Sequence, residues 1–315
     1  ELEGLPLGVN LWRGILQWLG GLGIVIVALV FLPVMKVGGM QFFRSEGFDT
    51  LGKILPRALD ISAALLQVYV ALTLLCAITY FALGMDGFDA VVHAMTTIAT
   101  GGFATTDASF SPYRPEVQYA AVLFMVLGAL PFIRFVQLAQ GSVRPLLRDP
   151  QVRAFVRWTV YALAAIVAYR VGVQAAPFWP TLRESAFNMV SIFTGTGYGT
   201  GDVTGWGHFP FVVLLIVGLI GGCTSSTGCS VKVFRYLVLL GAFRAQLRRM
   251  LNPSAIEPVR YDHRPVGEDV INSVMLFFTM FILTFGVLAV GLSLTGLAPI
   301  TAVTAAWTSI ANIGP

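Results

Sequence analysis

Charged residues are scarce in this chain. Of its 315 residues 11% are charged and 56% are hydrophobic, whereas about 25% are charged in an ordinary soluble domain. Several stretches of about 20 residues carry almost no charge, which is the length that an α-helix needs to cross roughly 30 Å of hydrocarbon. A backbone inside lipid must satisfy its own hydrogen bonds, so these stretches are expected to be helical. The composition argues against a water-soluble fold and predicts an integral membrane protein.

Cysteine and histidine are also rare. The chain has 3 of each, and Cys76, Cys223 and Cys229 form no C-x-x-C pair. The histidines are scattered over separate segments, at positions 93, 208 and 263. A metal centre needs ligands at close spacing, and a nucleophile such as Ser225, Ser226 or Cys223 needs a neighbouring base. We therefore expect no metal centre, no cofactor and no enzyme activity.

The basic residues are grouped in alternate connections between the apolar stretches. The groups are Lys36, Arg44, Lys53 and Arg57; Arg134, Arg144, Arg148, Arg153 and Arg157; and Lys232, Arg235, Arg244, Arg248, Arg249, Arg260 and Arg264. The positive-inside rule assigns such connections to the cytoplasm. A nucleic-acid partner is not expected from the net charge of +4, because these charges flank membrane spans and lack an interleaved aromatic platform.

Six membrane spans fit this alternation of charge, with no separate soluble domain. They are predicted at about 10–33, 58–84, 116–140, 152–173, 208–241 and 268–296. The loops on the outer side each contain an apolar stretch too short to span, at about 88–100, 182–194 and 299–311. Stretches of that length suit re-entrant pore helices. Irregular backbone at membrane depth is tolerated only beside protein or a water-filled cavity, so these loops point to a pathway.

Two of the outer loops repeat the same sequence pattern. The segment 100–107, TGGFATTD, aligns without gaps to 195–202, GTGYGTGD. Both follow a short apolar stretch and precede another span. The third loop ends Ala311-Asn312-Ile313-Gly314-Pro315, which aligns Gly314 with Gly102 and Gly197. The repeated unit is therefore a span, a short pore helix, a glycine loop and a second span.

Such loops suit the passage of a cation. Rings of backbone carbonyls can replace the water around the ion, and glycine permits backbone angles that other residues avoid. The candidate ion-binding residues are Thr100, Gly101, Gly102, Gly195, Thr196, Gly197, Asn312, Ile313 and Gly314. The alternative is that the glycines are ordinary turn residues. Asp107 and Asp202 are expected to anchor the loops rather than to bind the ion.

The predicted span 208–241 is interrupted by glycines and a polar run. Glycines break helices, and the hydroxyl groups can satisfy freed backbone groups or line water. The alternative is a glycine-rich face for helix packing. Lys232, just beyond the run, is an ionisable residue at the membrane and hence a functional candidate, unless it only extends to the interface.

These segments together resemble the Trk/Ktr/HKT superfamily of potassium transporters, and most closely the bacterial TrkH and TrkG type. The resemblance spans nearly the whole chain. Its motifs are Trp18-Leu19-Gly20-Gly21-Leu22-Gly23, Thr100-Gly101-Gly102-Phe103, Gly195-Thr196-Gly197-Tyr198, Gly221-Gly222-Cys223-Thr224-Ser225-Ser226-Thr227 and Asn312-Ile313-Gly314-Pro315. Departures from the family pattern are Cys229 and Ser230, Arg134 within an inner helix, and Tyr198 where phenylalanine is commoner.

The resemblance implies an all-α polytopic membrane protein, a pseudo-tetramer of four membrane helix, pore helix, filter loop and membrane helix units. The units would be 1–57 (the end of the first), 58–151, 152–267 and a truncated 268–315, so that this piece alone would not close a four-sided pore. The broken segment would be a gate beneath the filter, formed by Gly221, Gly222, Cys223, Thr224, Ser225, Ser226, Thr227, Gly228 and Lys232.

The implied function is potassium uptake across a bacterial inner membrane, with K⁺ as the transported ion. The implied assembly is a homodimer embedded in membrane lipid, on a cytosolic nucleotide-binding regulatory subunit of the TrkA or KtrA type. A sodium-permeable transporter, or one coupled to sodium or protons, is the alternative. A secondary transporter with inverted repeats is disfavoured because the repeats run in one direction.

Overall fold

The computed structural model describes residues 2–30, 39, 58–252, 258–262 and 264–313, and this part of the chain is almost entirely helical. Its α-helices are α1 Leu7–Val30, α2 Ala58–Ala82, α3 Gly87–Ile98, α4 Pro115–Gly128, α5 Phe132–Ala139, α6 Arg144–Arg148, α7 Pro150–Gly172, α8 Phe178–Thr194, α9 His208–Ile220, α10 Val233–Leu251, α11 Glu268–Ser293 and α12 Pro299–Ala311. Short 3₁₀ turns lie at Leu2–Gly4 and Thr204–Trp206. Strands β1 Arg260–Tyr261 and β2 Arg264–Pro265 form a small antiparallel hairpin.

Four of these helices are long and apolar enough to cross a membrane. The apolar stretches are Leu7–Ile26, Ile61–Ala82, Pro150–Gly172 and Glu268–Ser293, and the bent pair α4 and α5 makes a fifth if counted as one span. The predicted span 208–241 consists of two helices, α9 and α10, separated by an irregular segment. The predicted all-helical, multi-pass class is confirmed.

One predicted span was wrong in its continuity. The segment 116–140 was expected to be a single helix, but α4 and α5 meet at an angle of 95°. Pro131 stands between them with an extended backbone (φ −64°, ψ 117°). Proline has no N–H to continue the helix and disfavours helical angles at the preceding residue. The chain therefore turns at Ala129–Pro131, in the interior of the protein.

The second helix of the broken span is longer than the predicted span. The span was predicted to end near residue 241, and α10 continues beyond that point to Leu251. Beyond residue 241 the helix carries Arg244 and Arg248, which lie one turn apart on the same face. The arginines mark the end of the apolar span rather than the end of the helix.

Of the three short helices on the outer side, α3 and α8 lie inside the bundle, whereas α12 buries only one side. Helix α3 packs against α1, α2 and α4, while α8 packs against α4, α7 and α9, and α12 lies against α11. All of the residues from Ser185 to Thr194 in α8 are buried. By contrast, only 6% of the apolar window of α11 is buried. The described part thus has two buried short helices, α3 and α8, and an outer surface suited to lipid.

An aromatic cluster joins α3, α8 and the loop that follows each. Phe110 and Tyr198 have ring centroids 4.4 Å apart, and Phe110 and Phe187 are 5.2 Å apart. The His93 ring meets Phe110 edge-on at 5.1 Å. Such offset and edge contacts stabilise aromatic pairs by about 1 kcal/mol beyond the area that they bury. The cluster fixes the second glycine loop against α3 and the loop that follows α3.

Candidate functional site

The three short helices end in the same backbone conformation. The residue that begins each glycine loop is left-handed: φ is +48° at Thr100, +78° at Gly195 and +51° at Asn312. Two positions later, φ is again positive, +77° at Gly102 and +86° at Gly197. The corresponding Gly314 lies outside the described residues, as does the end of the third loop. The repeat seen in the sequence is therefore also a repeat of backbone geometry.

This geometry has a consequence for the carbonyl groups. In a strand successive carbonyls point to opposite sides, whereas a left-handed residue at every second position turns them toward the same side. A row of carbonyls that points one way is what a dehydrated cation needs. Asn312 shows that a left-handed residue at the first position need not be glycine, and asparagine tolerates this conformation better than most residues.

The first two glycine loops touch each other closely. A Cβ atom added to Gly102 would lie 1.9 Å from the carbonyl oxygen of Thr196. No side chain can occupy that space, so the close approach requires glycine. Thr196 is fully buried and its hydroxyl lies 2.7 Å from the hydroxyl of Thr194. The loops predicted from the sequence repeat are thus brought together in space.

Hydroxyl groups of α3 hold the first and second glycine loops in place. The Tyr198 hydroxyl lies within hydrogen-bond distance of the hydroxyls of Thr96 and Thr97 and of the carbonyl of His93, which is 3.2 Å away. The Thr96 hydroxyl also donates to the carbonyl of Phe103, at 2.8 Å. Helix α3 therefore anchors the aromatic residue of the second loop and the backbone of the first.

Gln17 of α1 contacts the first glycine loop, and the sequence alone did not identify it as a site residue. Its amide donates to the carbonyl of Gly101 at 2.6 Å and accepts from the backbone N–H of Phe103 at 3.0 Å. The available signal was an amide within an apolar span, next to the glycine motif that begins at Trp18. Gln17 holds one candidate ion-binding carbonyl in place.

The two aspartates lie beyond the glycine loops, where they were expected to act as anchors. The Asp202 carboxylate accepts from the hydroxyl and the backbone N–H of Thr204, at 2.6 and 2.8 Å. These hydrogen bonds hold the pKa of Asp202 below its usual value. Asp107 accepts from the backbone N–H of Leu2 at 2.9 Å. Both carboxylates are therefore engaged in loop contacts.

A cavity of about 740 Å³ lies beside the three loops. Its lining includes Thr100, Gly101, Gly195, Asn312 and Ile313. On the other side it is lined by the irregular segment between α9 and α10, including Gly228, Cys229 and Lys232. One cavity thus connects candidate filter residues from all three loops with candidate gate residues.

The segment between α9 and α10 fills the break between α4 and α5. We call residues 221–232 the intramembrane loop; residues 221–228 are all buried. The N–H of Cys223 donates to the carbonyl of Ala129 at 2.9 Å, and the N–H of Phe132 donates to the carbonyl of Ser225 at 2.9 Å. These bonds satisfy backbone groups that the helix break leaves free, which is required at membrane depth.

The intramembrane loop reaches the inner end of each short helix. The Thr227 hydroxyl lies 2.9 Å from the carbonyl of Ile98 at the end of α3. The Cys229 N–H donates to the carbonyl of Thr194 at the end of α8, at 3.4 Å. The Cys229 sulfur accepts from the Asn312 amide at 3.3 Å. The loop therefore lies directly beneath the three glycine loops.

Lys232 closes the intramembrane loop on itself. Its ammonium donates to the carbonyl of Ser226 at 3.2 Å, and its backbone is left-handed with φ +76°. Lys232 therefore points inward to the loop, against the alternative that it only extends to the interface. Further hydrogen bonds hold the loop: the Ser226 hydroxyl donates to the carbonyl of Cys223, the Thr224 N–H to the Gln151 amide oxygen and the Ser230 hydroxyl to the carbonyl of Leu219.

Arg134 is fixed near the break in the second inner helix. It forms an ion pair with Asp149 at 2.7 Å, and Asp149 caps α7 by accepting from the N–H of Gln151 at 2.8 Å. Gln151 in turn accepts from the N–H of Thr224 at 2.8 Å. A chain of contacts links the first turn of α5 to the intramembrane loop.

No group of three or more metal-ligating side chains occurs among the described residues. A family model described as a cation transport protein, TrkH, matches residues 1–315. The chain belongs to the TrkH family of cation transport proteins. The resemblance inferred from the glycine motifs is confirmed, and the TrkH family is one of transporters rather than enzymes.

Named relatives in the TrkH family show how far the similarity extends. The Trk system potassium uptake protein TrkI of Halomonas elongata is 42% identical over 317 residues, covering 100% of this chain and 64% of the relative. The Trk system potassium uptake protein TrkH of Escherichia coli K12 is 33% identical over 320 residues, covering 100% of this chain and 66% of the relative. The chain thus spans just under two thirds of the length of these relatives.

A solved structure shares the fold. The crystal structure of the potassium transporter TrkH from Vibrio parahaemolyticus has a TM-score of 0.89 and 32% identity, covering 100% of this chain and 65% of that one. The predicted architecture of repeated membrane helix and pore helix units is confirmed by this match. As a TrkH family member with several apolar helices, the chain is a multi-pass membrane protein.

Proposed function

We propose that this TrkH family chain takes part in potassium uptake across a bacterial inner membrane, with K⁺ as the transported ion and no cofactor. Relatives named as potassium uptake proteins and the Vibrio potassium transporter support the proposal. The observation that carries it is the shared left-handed geometry of three glycine loops around one cavity. Entry of one K⁺ would be driven by about 2.3 kcal/mol for each 100 mV of membrane potential.

The proposed filter is built from Thr100, Gly101, Gly102, Gly195, Thr196, Gly197, Asn312, Ile313 and Gly314. The positive φ angles at both ends of the first two triplets, and at Asn312, favour carbonyls that point toward a common axis. Gly314 is assigned to the third triplet because the sequence aligns it with Gly102 and Gly197. The C-terminal ends of α3, α8 and α12 would add their partial negative charge to the site.

The proposed gate is the intramembrane loop, including Lys232. The loop contacts the ends of α3, α8 and α12, so in this position it obstructs the route away from the filter. Residues 222 and 228 let the loop fold back on itself: a Cβ on Gly222 would lie 3.2 Å from the Cα of Gly228. Opening requires the loop to leave the break between α4 and α5.

Because the chain belongs to the TrkH family, we infer the partners that the sequence resemblance implies. We propose a homodimer and a cytosolic nucleotide-binding regulatory subunit of the TrkA or KtrA type. We also propose the unit boundaries 58–151 and 152–267, with 1–57 and 268–315 as parts of the first and fourth units. The described helices α2 to α4 and α7 to α9 are compatible with this division.

The test uses the full-length gene in bacteria that lack their own potassium uptake systems. Growth at low potassium and uptake of rubidium and sodium are measured for the parent, Gly102→Ser and Gly205→Ser. Gly205→Ser is the matched control because a Cβ there meets nothing within 4 Å, on a backbone without positive φ. We expect Gly102→Ser to lose uptake or potassium selectivity, because its side chain collides with Thr196.

Equal uptake and selectivity in Gly102→Ser and Gly205→Ser, at equal membrane expression, would reject the filter assignment. Sodium uptake without rubidium uptake by the parent would instead favour the sodium-permeable alternative. Membrane expression is compared by immunoblotting so that a loss of folding is not mistaken for a loss of conduction.

A further inference from the structure

The cytoplasmic ends of α10 and α11 enclose an apolar groove that is separate from the proposed ion pathway. Its volume is about 850 Å³, and its lining includes Leu239, Phe243, Val259, Ile271 and Met275. The side chains of Phe243 and Met275 are 61% and 45% exposed. Apolar surface at the boundary of a membrane helix pair is suited to an acyl chain.

A basic pocket adjoins the groove. It has a volume of about 480 Å³ and shares Ala245, Pro258 and Val259 with the groove. Its charged lining residues, among those that the structure describes, are arginines alone: Arg244, Arg248 and Arg260.

These arginines come from two elements. Arg244 and Arg248 lie one turn apart on α10 and hence on the same face, while Arg260 belongs to strand β1. Guanidinium groups match phosphate oxygens with paired hydrogen bonds. The pocket therefore presents anion-binding groups from two directions.

We propose that the groove and the pocket together bind one anionic phospholipid of the cytoplasmic leaflet. The acyl chain lies between α10 and α11, and the phosphate binds Arg244, Arg248 and Arg260. The charge of the pocket selects an anionic headgroup, and basic pockets between membrane helices on the cytoplasmic side are a recurrent lipid-binding feature. Arg249 and Glu268 also line the groove, so among the described lining residues the carboxylate lies beside the acyl chain and the charges of the basic pocket are those of arginines.

The site is connected to the intramembrane loop along one helix. Helix α10 begins at Val233, the residue after Lys232, and ends beyond the basic pocket. A lipid between α10 and α11 therefore fixes the far end of the helix that continues from the loop. The proposal concerns lipid binding and stands independently of which ion the protein conducts.

The test measures lipid retained by the purified full-length protein, using native mass spectrometry. The probes are phosphatidylglycerol and phosphatidylcholine with identical acyl chains. The variant is Arg244→Gln with Arg248→Gln, and the matched control is Arg153→Gln with Arg157→Gln. The control removes two exposed arginines at the same spacing from another helix, α7.

We expect the parent and the control to retain phosphatidylglycerol in preference to phosphatidylcholine. The Arg244 and Arg248 variant should lose phosphatidylglycerol occupancy by about tenfold, because two surface arginines contribute to the binding of each headgroup. Arg260→Gln, which changes no helix, should lower occupancy by a smaller factor. If the double variant does not fold, the phosphatidylglycerol occupancy of Arg260→Gln tests the proposal by itself.

Three results would overturn the proposal. An equal loss of phosphatidylglycerol in the variant and in the control would mean that basic residues attract the lipid wherever they lie, without a specific binding site. Displacement of phosphatidylglycerol by the same concentration of inorganic phosphate would mean a site for free anions. Unchanged lipid retention with loss of binding to a soluble regulatory subunit would mean that the arginines form a protein-docking surface.

Discussion

Hydroxyl groups connect the glycine loops at the scale of single residues. The Thr96 hydroxyl donates to the carbonyl of Phe103 in one loop and meets the hydroxyl of Tyr198 in the next. Tyr198 is 3% exposed, whereas Phe103, its equivalent in the sequence repeat, is 38% exposed and lies under the guanidinium of Arg13. Equivalent aromatic residues thus have different environments.

Removing the Tyr198 hydroxyl should weaken the loop without leaving a cavity. We expect Tyr198→Phe to lower the free energy of unfolding by about 1–2 kcal/mol, because Thr96 and Thr97 lose a buried partner. We also expect the variant to discriminate less between rubidium and sodium. Thermal unfolding of the full-length protein and a competition uptake assay measure these two effects.

The control for this prediction is Tyr161→Phe. The Tyr161 side chain is 64% exposed on α7, so its hydroxyl is expected to contribute little. If Tyr198→Phe is as stable and as selective as Tyr161→Phe, the hydroxyl does not support the filter loop.

At the scale of elements, two irregular segments satisfy each other's backbone hydrogen bonds. The break at Ala129–Pro131 exposes backbone groups in the interior, and the intramembrane loop supplies partners for them. Thr227 is the centre of this contact, since its hydroxyl lies 2.9 Å from the carbonyl of Ile98 and 2.9 Å from that of Gly128. Three elements are therefore joined through one side chain.

The substitution Thr227→Val keeps the shape of the side chain and removes its hydrogen bonds. We expect it to raise rubidium uptake, because the loop is held less firmly beneath the filter. The free energy of unfolding should fall by about 1–3 kcal/mol, the cost of leaving buried carbonyls without a donor. Initial uptake rates at equal expression and denaturation of the purified protein measure both effects.

Thr279→Val is the control for the loop prediction. Its hydroxyl bonds the carbonyl of Met275 within α11 at an exposed position. Unchanged or reduced uptake in Thr227→Val, with a normal Thr279→Val, would contradict a gating role for this contact.

The distribution of charge determines the orientation at the scale of the whole molecule. The basic segments at 141–151 and 242–267, the second of which includes the end of α10, are assigned to the cytoplasm by the positive-inside rule. The connection after α8 contains the 3₁₀ turn Thr204–Trp206 and lies at the opposite end of α9 from the intramembrane loop. We expect reagents outside the cell to reach the connection after α8 and not the basic segments.

Cysteine labelling tests this orientation. We expect Gly205→Cys to react with a membrane-impermeant maleimide in intact cells, and Ser142→Cys to react only after permeabilisation. Both positions are exposed. The full-length background carries Cys229→Ser, since Cys76 and Cys223 are buried. The reverse pattern of labelling would invert the proposed topology.

The outline of the fold could be predicted because its signals are local. Long apolar stretches specify spans, and the grouped arginines specify their direction. The short apolar stretches and the repeated glycines located α3, α8 and α12 within a few residues. The positive φ at Gly102 and Gly197 follows from the same local signal, since glycine is the residue that adopts this conformation at little cost.

The contacts between distant segments were decided only by the tertiary structure. The Pro131 break was visible as a proline, yet its burial depends on the Cys223 and Ser225 backbone groups almost a hundred residues away. Gln17 and Thr96 support the glycine loops through contacts that no repeat in the sequence encodes. The sequence by itself determined the class, the spans and the glycine loops, because these depend on neighbouring residues. The tertiary structure decided which loop faces which, because hydrogen bonds between irregular segments depend on their positions in space.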